Sequence, residues 1–483
     1  MTKTSFQLLS VFTFYLVIRL IAMVYFPLQD TTEARYAEIA RIMAETGDWI
    51  TPYFDYDVPF WGKPPLVFWL EALSMKLLGV NDFAPRLPSL LFTLATAGLI
   101  YKFLGTLYNQ RSAIWGVTIY FSIGLVYILS GVVILDPVFT FATTLAYVAF
   151  VMVLKEQGKV WGYLFFIAVS LGLLSKGPLV LVLVAGSIGL WLLFSLKRWR
   201  VFKMYPWASG LLLTAVITLP WYIMAEMKTP GFIDYFIVGE HFMRFIDPGW
   251  SGDLYGVAHH EPHGIIWLEW LVVSLPWGLI AIGLLAANTL KARSLQNIKA
   301  YLKDEELSFY LIWALFPMLF FTLSGNVLST YVLPGLPALA IILAIYFDRH
   351  DIFKSEKGRT FAIYSLLAIP TLILIAIIYA DNNRHIIRTE KFLIQEHRQL
   401  AKADEPLYYL KKKPFSARFY TAGEMKMLTY DDFKARQEHN ATTDYYLAIP
   451  ENHLPRVEKI YGHPLKKLYS SKLYDLVKIT NHD

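Results

Sequence analysis

The chain has 483 residues, of which 56% are hydrophobic and only 17% are charged. A soluble globular chain carries about 25% charged residues, so this composition excludes an ordinary soluble protein and predicts a polytopic α-helical membrane protein. The net charge of +6 lies mostly in short loops between apolar segments, which membrane topology explains better than nucleic-acid binding. The chain has no cysteine, which excludes disulfides, a thiol nucleophile and thiolate metal ligands.

About eleven apolar segments approach the roughly 20 residues that cross a bilayer. The first, near residues 6–26, has no small-residue cleavage site and is predicted to be a retained span. The others lie near residues 84–104, 112–130, 132–154, 160–175, 177–196, 206–226, 264–288, 306–325, 329–347 and 360–380.

Basic residues gather in alternate loops, near residues 155–159, 197–203, 291–303 and 349–359. The positive-inside rule makes these loops and the N-terminus cytoplasmic. The loops at 27–83, 227–263 and 324–328 are then predicted to share the opposite face with the C-terminal tail.

From residue 381 the chain becomes charged and tyrosine-rich. Alternating segments predict strands at 407–410, 418–420, 444–449 and 473–477, and helices are predicted at 431–439 and 454–461. We therefore expect two domains, a membrane domain over residues 1–380 and a small α/β domain over residues 381–483.

The first long loop opens a helix with Asp30-Thr-Thr-Glu33. The apolar spacing that follows suits a helix lying along the membrane surface. One interpretation is a capping box, with Asp30 as N-cap and Glu33 at the third helical position. The other is chemistry, because a helix N-terminus keeps a carboxylate ionised, as a general base requires. These residues alone leave both interpretations open.

Two further residues of this face each allow a structural and a functional interpretation. Lys63 lies in Phe60-Trp-Gly-Lys-Pro-Pro65, a rigid turn that either only starts the next helix or also presents a cation to a phosphate head group. Asp136 stands at the entry of an apolar span, where it is either a cap or a functional group.

The second long loop places His241 near Arg244, whose forked guanidinium suits an anion. It also contains the histidine-rich run at residues 259–263, whose spacing fits no standard zinc signature. Surface histidines and aromatic lid packing are the alternative explanation for this loop. Lys176 and Tyr331 are predicted to lie at the same face.

Taken together and in order, these motifs resemble the GT-C class of integral-membrane glycosyltransferases. The nearest groups are the protein O-mannosyltransferases and the bacterial lipid A aminoarabinose transferases. The pieces that carry the resemblance are Glu33-Ala-Arg35-Tyr36, Gly47-Asp-Trp49, Lys63-Pro-Pro65, Leu135-Asp136, Ser175-Lys-Gly177, Glu240-His-Phe-x-Arg244 and Tyr331-x-Leu-Pro334.

The resemblance implies a sugar donor on a polyprenyl phosphate and an inverting transfer to a lipid (lipid A-like) or protein acceptor. It places the reaction at the periplasmic face of a bacterial inner membrane, with the N-terminus cytoplasmic and no nucleic-acid partner. The alternative is a transporter or flippase of lipid-linked sugars, which would have broken helices and ionisable groups near the middle of the membrane. The charged residues gather at one face instead, which favours the transferase.

The resemblance also implies that an acid of the first loop is the catalytic carboxylate, with Asp136 as a second acidic site. The family's Asp directly before the Glu is Thr32 here, so the base is either Asp30, which we prefer, or Glu33. The family's Glu before Lys-Pro-Pro is Gly62, which removes a metal ligand and leaves the sugar open.

On this hypothesis, cations bind the donor phosphate, aromatic and histidine side chains line the cavity, and a divalent cation is an open question. The phosphate-binding candidates are Lys63 and Arg244, supported by Arg35 and Lys176; the cavity candidates are Tyr36, His241 and Tyr331; the metal candidates are Asp30, Asp136 and His241.

Overall fold

The computed structural model describes residues 3–194, 196–247, 249–256, 260–292, 304–352, 355–402, 405–438 and 444–480. The part up to residue 382 is almost entirely helical. Its α-helices are Lys3–Tyr25, Thr32–Thr46, Leu66–Leu78, Leu87–Leu107, Gln110–Phe121, Gly124–Leu129, Asp136–Leu154, Val160–Lys176, Leu179–Leu193, Trp207–Lys228, Arg244–Ile246, Ile265–Val273, Trp277–Ala292, Glu305–Phe321, Leu336–Arg349 and Glu356–Asn382. A π-helix covers Asp234–Met243, and short 3-10 helices cover Ala84–Arg86, Leu196–Met204 and Ser329–Gly335.

Each of the predicted apolar segments contains a helix, which confirms a polytopic all-α membrane part. Among the described residues, 5 helices are long and apolar enough to cross a membrane, and a sixth span results if one bent pair is counted as one. The spanning helices are Ala84–Leu107, Asp136–Leu154, Trp207–Lys228, Ser329–Arg349 and Glu356–Asn382. Shorter apolar helices lie at Ser10–Tyr25, Val160–Lys176 and Leu179–Leu193, and eleven crossings stay a prediction.

Two predicted spans are broken where the sequence shows only a continuous apolar run. The segment at 264–288 bends by 105° between Ile265–Val273 and Trp277–Ala287. The segment at 112–130 divides at Ser122, whose hydroxyl accepts a hydrogen bond of 2.8 Å from the indole nitrogen of Trp277. The two breaks therefore pack against each other, a tertiary contact that hydropathy does not encode.

The helix Thr32–Thr46, here the first-loop helix, is covered by protein on most of its surface. The helix Leu66–Leu78 packs on one side of it and the C-terminal helix Phe415–Tyr420 on another. Even Glu38 and Arg41 of its polar face are buried, and they satisfy each other at 2.6 Å. The apolar spacing of the first-loop helix thus reflects burial against two other helices of the same chain.

The C-terminal region contains a mixed five-stranded sheet in the order β4-β3-β5-β7-β6, while β1 and β2 form a small hairpin in the first loop. The strands are β1 Tyr53–Asp55, β2 Val58–Pro59, β3 Leu407–Leu410, β4 Lys426–Leu428, β5 Tyr445–Pro450, β6 Lys467–Ser470 and β7 Tyr474–Ile479. The C-terminal helices are Arg384–Ile386 and Glu451–His453 (both 3-10), and Lys391–Leu400, Phe415–Tyr420, Tyr430–Glu438 and Leu454–Tyr461.

Most of the predicted C-terminal elements are confirmed, including three strands and both helices, although His439 at the predicted end of one helix lies outside the described residues. The predicted strand at 418–420 is wrong, because these residues end the helix Phe415–Tyr420. Phe415 and Phe419, one helical turn apart, both pack into the apolar cluster around the first-loop helix. The predicted division at residue 380 falls within the last turn of Glu356–Asn382 and stays a prediction.

Polar contacts attach the C-terminal sheet region to the first loop. Asp82 forms an ion pair with Lys391 at 2.6 Å and accepts a hydrogen bond from the hydroxyl of Tyr420. The backbone N–H of Ser416 donates to Asp30 at 3.1 Å. The first loop is therefore held between the helical bundle and the C-terminal region.

Candidate active site

The Lys63 turn lies against the second long loop. Pro65 precedes the helix Leu66–Leu78, as the two prolines predict. The ammonium of Lys63 contacts the carboxylate of Glu240 at 2.9 Å. Glu240 lies in the ten-residue π-helix Asp234–Met243, a rare conformation that is frequent at functional sites.

Glu240 is shared between two cations. Arg244 contacts its carboxylate at 3.0 Å, and the hydroxyl of Tyr235 donates to it at 3.3 Å. Burial by itself would raise the pKa of Glu240, but Lys63 and Arg244 lower that pKa to about 2. Glu240 therefore stays ionised. It was not among the predicted site residues, although its spacing of four from Arg244 signals an ion pair on one helix face.

A chain of contacts connects Arg35 to the same group. Arg244 lies 3.5 Å from Asp253, whose other oxygen accepts a hydrogen bond of 3.0 Å from the backbone N–H of Tyr255. The carbonyl of Tyr255 accepts a hydrogen bond of 2.6 Å from Arg35. The Arg35 guanidinium also lies 5.2 Å from the ring centre of Tyr36.

Asp136 and Lys176 form a second pair at 2.7 Å. The Lys176 ammonium lies 5.5 Å from the ring centre of Tyr331, which also interacts electrostatically with Lys63. The Nε2 atom of His241 lies 3.0 Å from the carbonyl of Lys176, so the π-helix contacts this pair as well.

His241 is held between two carbonyl groups. Its Nδ1 atom lies 2.7 Å from the carbonyl of Phe236, opposite the contact to Lys176. Burial lowers the pKa of His241, although the two carbonyls oppose that shift. A neutral imidazole donates to one of these carbonyls at a time.

The structure thus brings eight predicted residues and one missed residue, Glu240, to a single region. We call this set the charge network; it comprises Arg35, Tyr36, Lys63, Asp136, Lys176, Glu240, His241, Arg244 and Tyr331.

Asp30 lies elsewhere, because both of its carboxylate oxygens accept hydrogen bonds from Ser416. The predicted capping box is wrong. The N-cap of the first-loop helix is Thr31, without a capping side-chain bond, and Glu33 accepts from the backbone N–H of Gln29 at 3.1 Å. Asp30 forms no ion pair with a cation of the charge network in the described part of the chain.

Glu33 belongs to a buried pair with Arg86, at 2.8 Å between the charged atoms. The two side chains are 9% and 3% exposed. Arg86 also donates to the carbonyls of Met23 and Phe26, which fixes the end of the first helix against the loop. Glu33 therefore makes its strong contacts with the scaffold.

The metal candidates do not converge. Asp30 is engaged by Ser416, Asp136 by Lys176, and His241 by two carbonyls. Within the described ranges, no group of three or more His, Asp or Glu side chains could hold a metal ion. His259 of the histidine-rich run lies outside those ranges. These residues do not fit a shared divalent cation.

Comparison with known proteins agrees with this architecture. Residues 4–236 match the family model of dolichyl-phosphate-mannose-protein mannosyltransferase. The crystal structure of ArnT from Cupriavidus metallidurans bound to undecaprenyl phosphate aligns with 99% of this chain and 98% of its own, with a TM-score of 0.77 and 17% identity. The crystal structure of the Archaeoglobus fulgidus oligosaccharyltransferase aligns with 95% of this chain and 71% of its own, with a TM-score of 0.51 and 11% identity. The protein therefore has the fold of the GT-C integral-membrane glycosyltransferases.

Within that class, the chain resembles the undecaprenyl phosphate-alpha-4-amino-4-deoxy-L-arabinose arabinosyl transferases. The Yersinia pestis (strain Pestoides F) protein is 31% identical over 321 residues, 65% of this chain and 54% of the relative. The Aeromonas hydrophila protein is 30% identical over 368 residues, 75% of this chain and 63% of the relative. The chain thus spans little more than half the length of these relatives. The resemblance expected from the motifs is confirmed.

Proposed function

We propose that the protein is an inverting glycosyltransferase that moves a sugar from a polyprenyl phosphate to a lipid acceptor. The observation that carries this proposal is the charge network, in which Lys63 and Arg244 share one carboxylate at the edge of a helical bundle. The relatives with undecaprenyl phosphate-linked sugars in their names support the donor class.

The two cations that contact Glu240 can also bind a lipid phosphate. The side chains of Lys63 and Arg244 are each 24% exposed, whereas Glu240 is 4% exposed. The side chains of both cations are therefore partly exposed, whereas the side chain of their carboxylate partner is buried. A phosphate can add to this cation pair as a second anion. Arg35 and Lys176 are connected to the pair through other residues of the second loop.

The reaction needs stabilisation where negative charge grows. As the bond between the anomeric carbon and the phosphate oxygen breaks, that oxygen keeps the electron pair and the polyprenyl phosphate leaves. Two unit charges about 4 Å apart attract by about 4 kcal/mol at an effective dielectric near 20. Lys63 and Arg244 together supply a substantial part of the barrier reduction on this estimate.

The acceptor oxygen attacks the anomeric carbon from the side opposite the phosphate, which inverts the configuration. We assign Asp136 to the acceptor side, because it is the one predicted acid that contacts a cation of the charge network. It takes the proton of a hydroxyl acceptor, or orients an acceptor phosphate that has no proton to lose. We assign Asp30 and Glu33 to positioning, because Ser416 and Arg86 engage them.

We further propose that the sugar is a pentose of the aminoarabinose type and that the acceptor is lipid A-like. The names of the relatives support the sugar, although this chain has Gly62 where the family has Glu. The bacterial relatives support a location in a bacterial inner membrane. The positive-inside pattern supports an N-terminus in the cytoplasm and a C-terminal region in the periplasm.

The test is a transfer assay with the full-length protein in proteoliposomes. The donor is radiolabelled undecaprenyl phosphate-linked aminoarabinose, with a hexose-linked donor in parallel, and the acceptor is lipid A. We expect Lys63→Ala and Arg244→Ala to lower the turnover rate about 100-fold or more. Lys228→Ala is the matched control, because Lys228 forms an ion pair with Asp48 in the same pair of loops, outside the charge network.

Label that moves from the hexose donor alone would overturn the sugar but keep the transferase. Absence of transfer from both donors, or equal rates in all three variants, would overturn the proposed function. Label that crosses the membrane still attached to its donor would support the flippase instead.

A further inference from the structure

A cavity of about 500 Å³ lies between the first loop and the C-terminal sheet, away from the charge network. Asp30 and Thr31 line it from the first loop, and Lys411, Lys412 and Lys413 line it from the sheet. We call it the basic crevice. Its volume is in the range of pockets that bind small organic molecules.

The basic crevice lies at the topological switch point of the sheet. Strands β3 and β5 are parallel neighbours; the chain continues from β3 to β4 on one side of this pair and from β5 to β6, beyond β7, on the other side. Lys411 follows the last residue of β3, while Pro450 ends β5 and also lines the cavity. In open α/β sheets, ligands bind in the crevice outside the carboxyl ends of the strands at such a point.

The charges around the basic crevice are unbalanced. Four cationic residues line it, the three lysines and Arg388, together with His453 and one carboxylate, Asp30. Both oxygens of that carboxylate already accept hydrogen bonds from Ser416. In the described chain, Lys411, Lys412 and Arg388 form no ion pair, and Lys413 has one at 3.5 Å, to Asp55. Arg388 acts electrostatically on Asp30, and the ammonium of Lys411 lies 5.5 Å from the ring centre of Tyr430. An anion would therefore meet three cations, Lys411, Lys412 and Arg388, that form no ion pair in the described chain.

The backbone at Lys411 supports a dedicated role. Its φ angle of 69° lies in the left-handed region, which is unfavourable for a non-glycine residue. The N–H of Lys412 donates to the carbonyl of Leu410 at 2.9 Å, which makes a tight turn directly after β3. Such backbone strain clusters at ligand sites. The turn keeps three consecutive lysines at the rim of the cavity.

We propose that the basic crevice binds the phosphorylated sugar of a ligand, outside the transfer site. A phosphate neutralises the lysine run and Arg388, while the remaining volume accommodates a sugar ring. The phosphorylated sugar could be the head group of a lipid or a soluble sugar phosphate. The basic crevice shares no residue with the charge network, so binding of a soluble sugar phosphate can be measured independently of transfer, whereas binding of a lipid A-like ligand rests on the proposed acceptor.

The experiment measures binding by calorimetry with the full-length protein. One arm uses protein in a neutral detergent with glucosamine 1-phosphate as the soluble probe. The other uses protein in phosphatidylcholine nanodiscs, titrated with bisphosphorylated lipid A. The variant is K411N/K412Q, in which Asn is chosen because it tolerates the left-handed backbone. A second variant, Arg388→Gln, changes an exposed residue on a different segment.

We expect each variant to weaken binding about tenfold or more, the effect of losing a charge-assisted hydrogen bond. The control K434Q/K459Q removes two exposed lysines of the same region that do not line the cavity, and should bind as the wild type does. Weakening with lipid A alone supports a lipid head group, and weakening with glucosamine 1-phosphate alone supports a soluble ligand. Wild-type affinity in both variants for both probes, or no binding by the wild type, would overturn the proposal.

Discussion

Two groups of charged residues at the same edge of the bundle differ in how their charges are satisfied. In the buried group, Glu33 and Arg86 are 9% and 3% exposed, and Arg86 also donates to backbone carbonyls. In the charge network, Lys63 and Arg244 are each 24% exposed and share the buried carboxylate of Glu240.

This difference in exposure and partners separates the charges that can bind a ligand from those that hold the fold together. A buried ion pair that is well hydrogen-bonded is costly to separate, because separation would leave two unpaired charges away from water. A partly exposed cation that shares a carboxylate can accept another anion with little rearrangement. The partner of each acidic residue near a predicted active site therefore indicates whether that residue stabilises the fold or belongs to the site.

The largest effect on stability is expected when one member of the buried group is replaced. Glu33→Gln leaves the guanidinium of Arg86 without its counter-charge, and we expect a loss of about 3–5 kcal/mol in the free energy of unfolding. Thermal unfolding of the detergent-solubilised protein measures it. The matched control is Glu45→Gln on the same helix, whose side chain is 51% exposed, and which should change stability by about 0–1 kcal/mol. Equal losses in the two variants would refute the scaffold role.

The charge network should respond in activity instead. We expect Asp136→Asn to lower transfer about 100-fold or more, because the acid that contacts Lys176 is lost. Asp30→Asn should keep transfer within about tenfold of wild type, since its partner is Ser416. The transfer assay described above, with unfolding temperatures alongside, separates the two effects. The reverse order of activities would return the catalytic role to Asp30.

Glu390 is a buried carboxyl that should make the stability of the protein depend on pH. Burial raises the pKa of Glu390 to about 8, and the charge of Asp30 adds to the shift against a hydrogen bond from Ser471. The carboxyl has a pKa of about 4.3 when unfolded, so in the window between these values the native state holds a proton that the unfolded state has released. Stability is therefore highest below that window and falls as pH rises through it, by at most about 1.4 kcal/mol per pH unit.

Glu390→Gln removes this pH dependence, because the amide does not titrate. Compared with wild type, we expect the variant to gain stability steadily between about pH 5 and pH 8. Unfolding temperatures of both proteins across that range measure the difference. Parallel curves for the two proteins would mean that Glu390 is ionised in the native state.

The smallest effect is expected where the first loop meets the C-terminal region in partly exposed pairs. Asp55 lies 3.5 Å from Lys413 and 3.3 Å from Arg418, and is itself 27% exposed. Solvent screens such pairs, so Asp55→Asn should cost about 0–1 kcal/mol in unfolding free energy. A loss comparable to that of Glu33→Gln, in the same unfolding measurement, would show that exposure does not separate the two kinds of pair.

The membrane class, the positions of the apolar helices and most residues of the charge network can be predicted from the amino-acid sequence alone. Low charge content and long apolar runs leave a chain little alternative to helices in lipid, and the motif cations Lys63, Lys176 and Arg244 were visible in the loops. The start of the helix Leu66–Leu78 directly after the Pro-Pro turn and the bounds of the helix Leu454–Tyr461 can also be predicted from the local sequence.

The partner of each charged residue, by contrast, is visible only in the folded protein. Asp30 meets Ser416 across 386 positions of sequence, and Lys63 meets Glu240 across 177. Local periodicity carries no information over such distances, because the partner is fixed by how the loops pack. The same packing turned Phe415–Tyr420 into a helix.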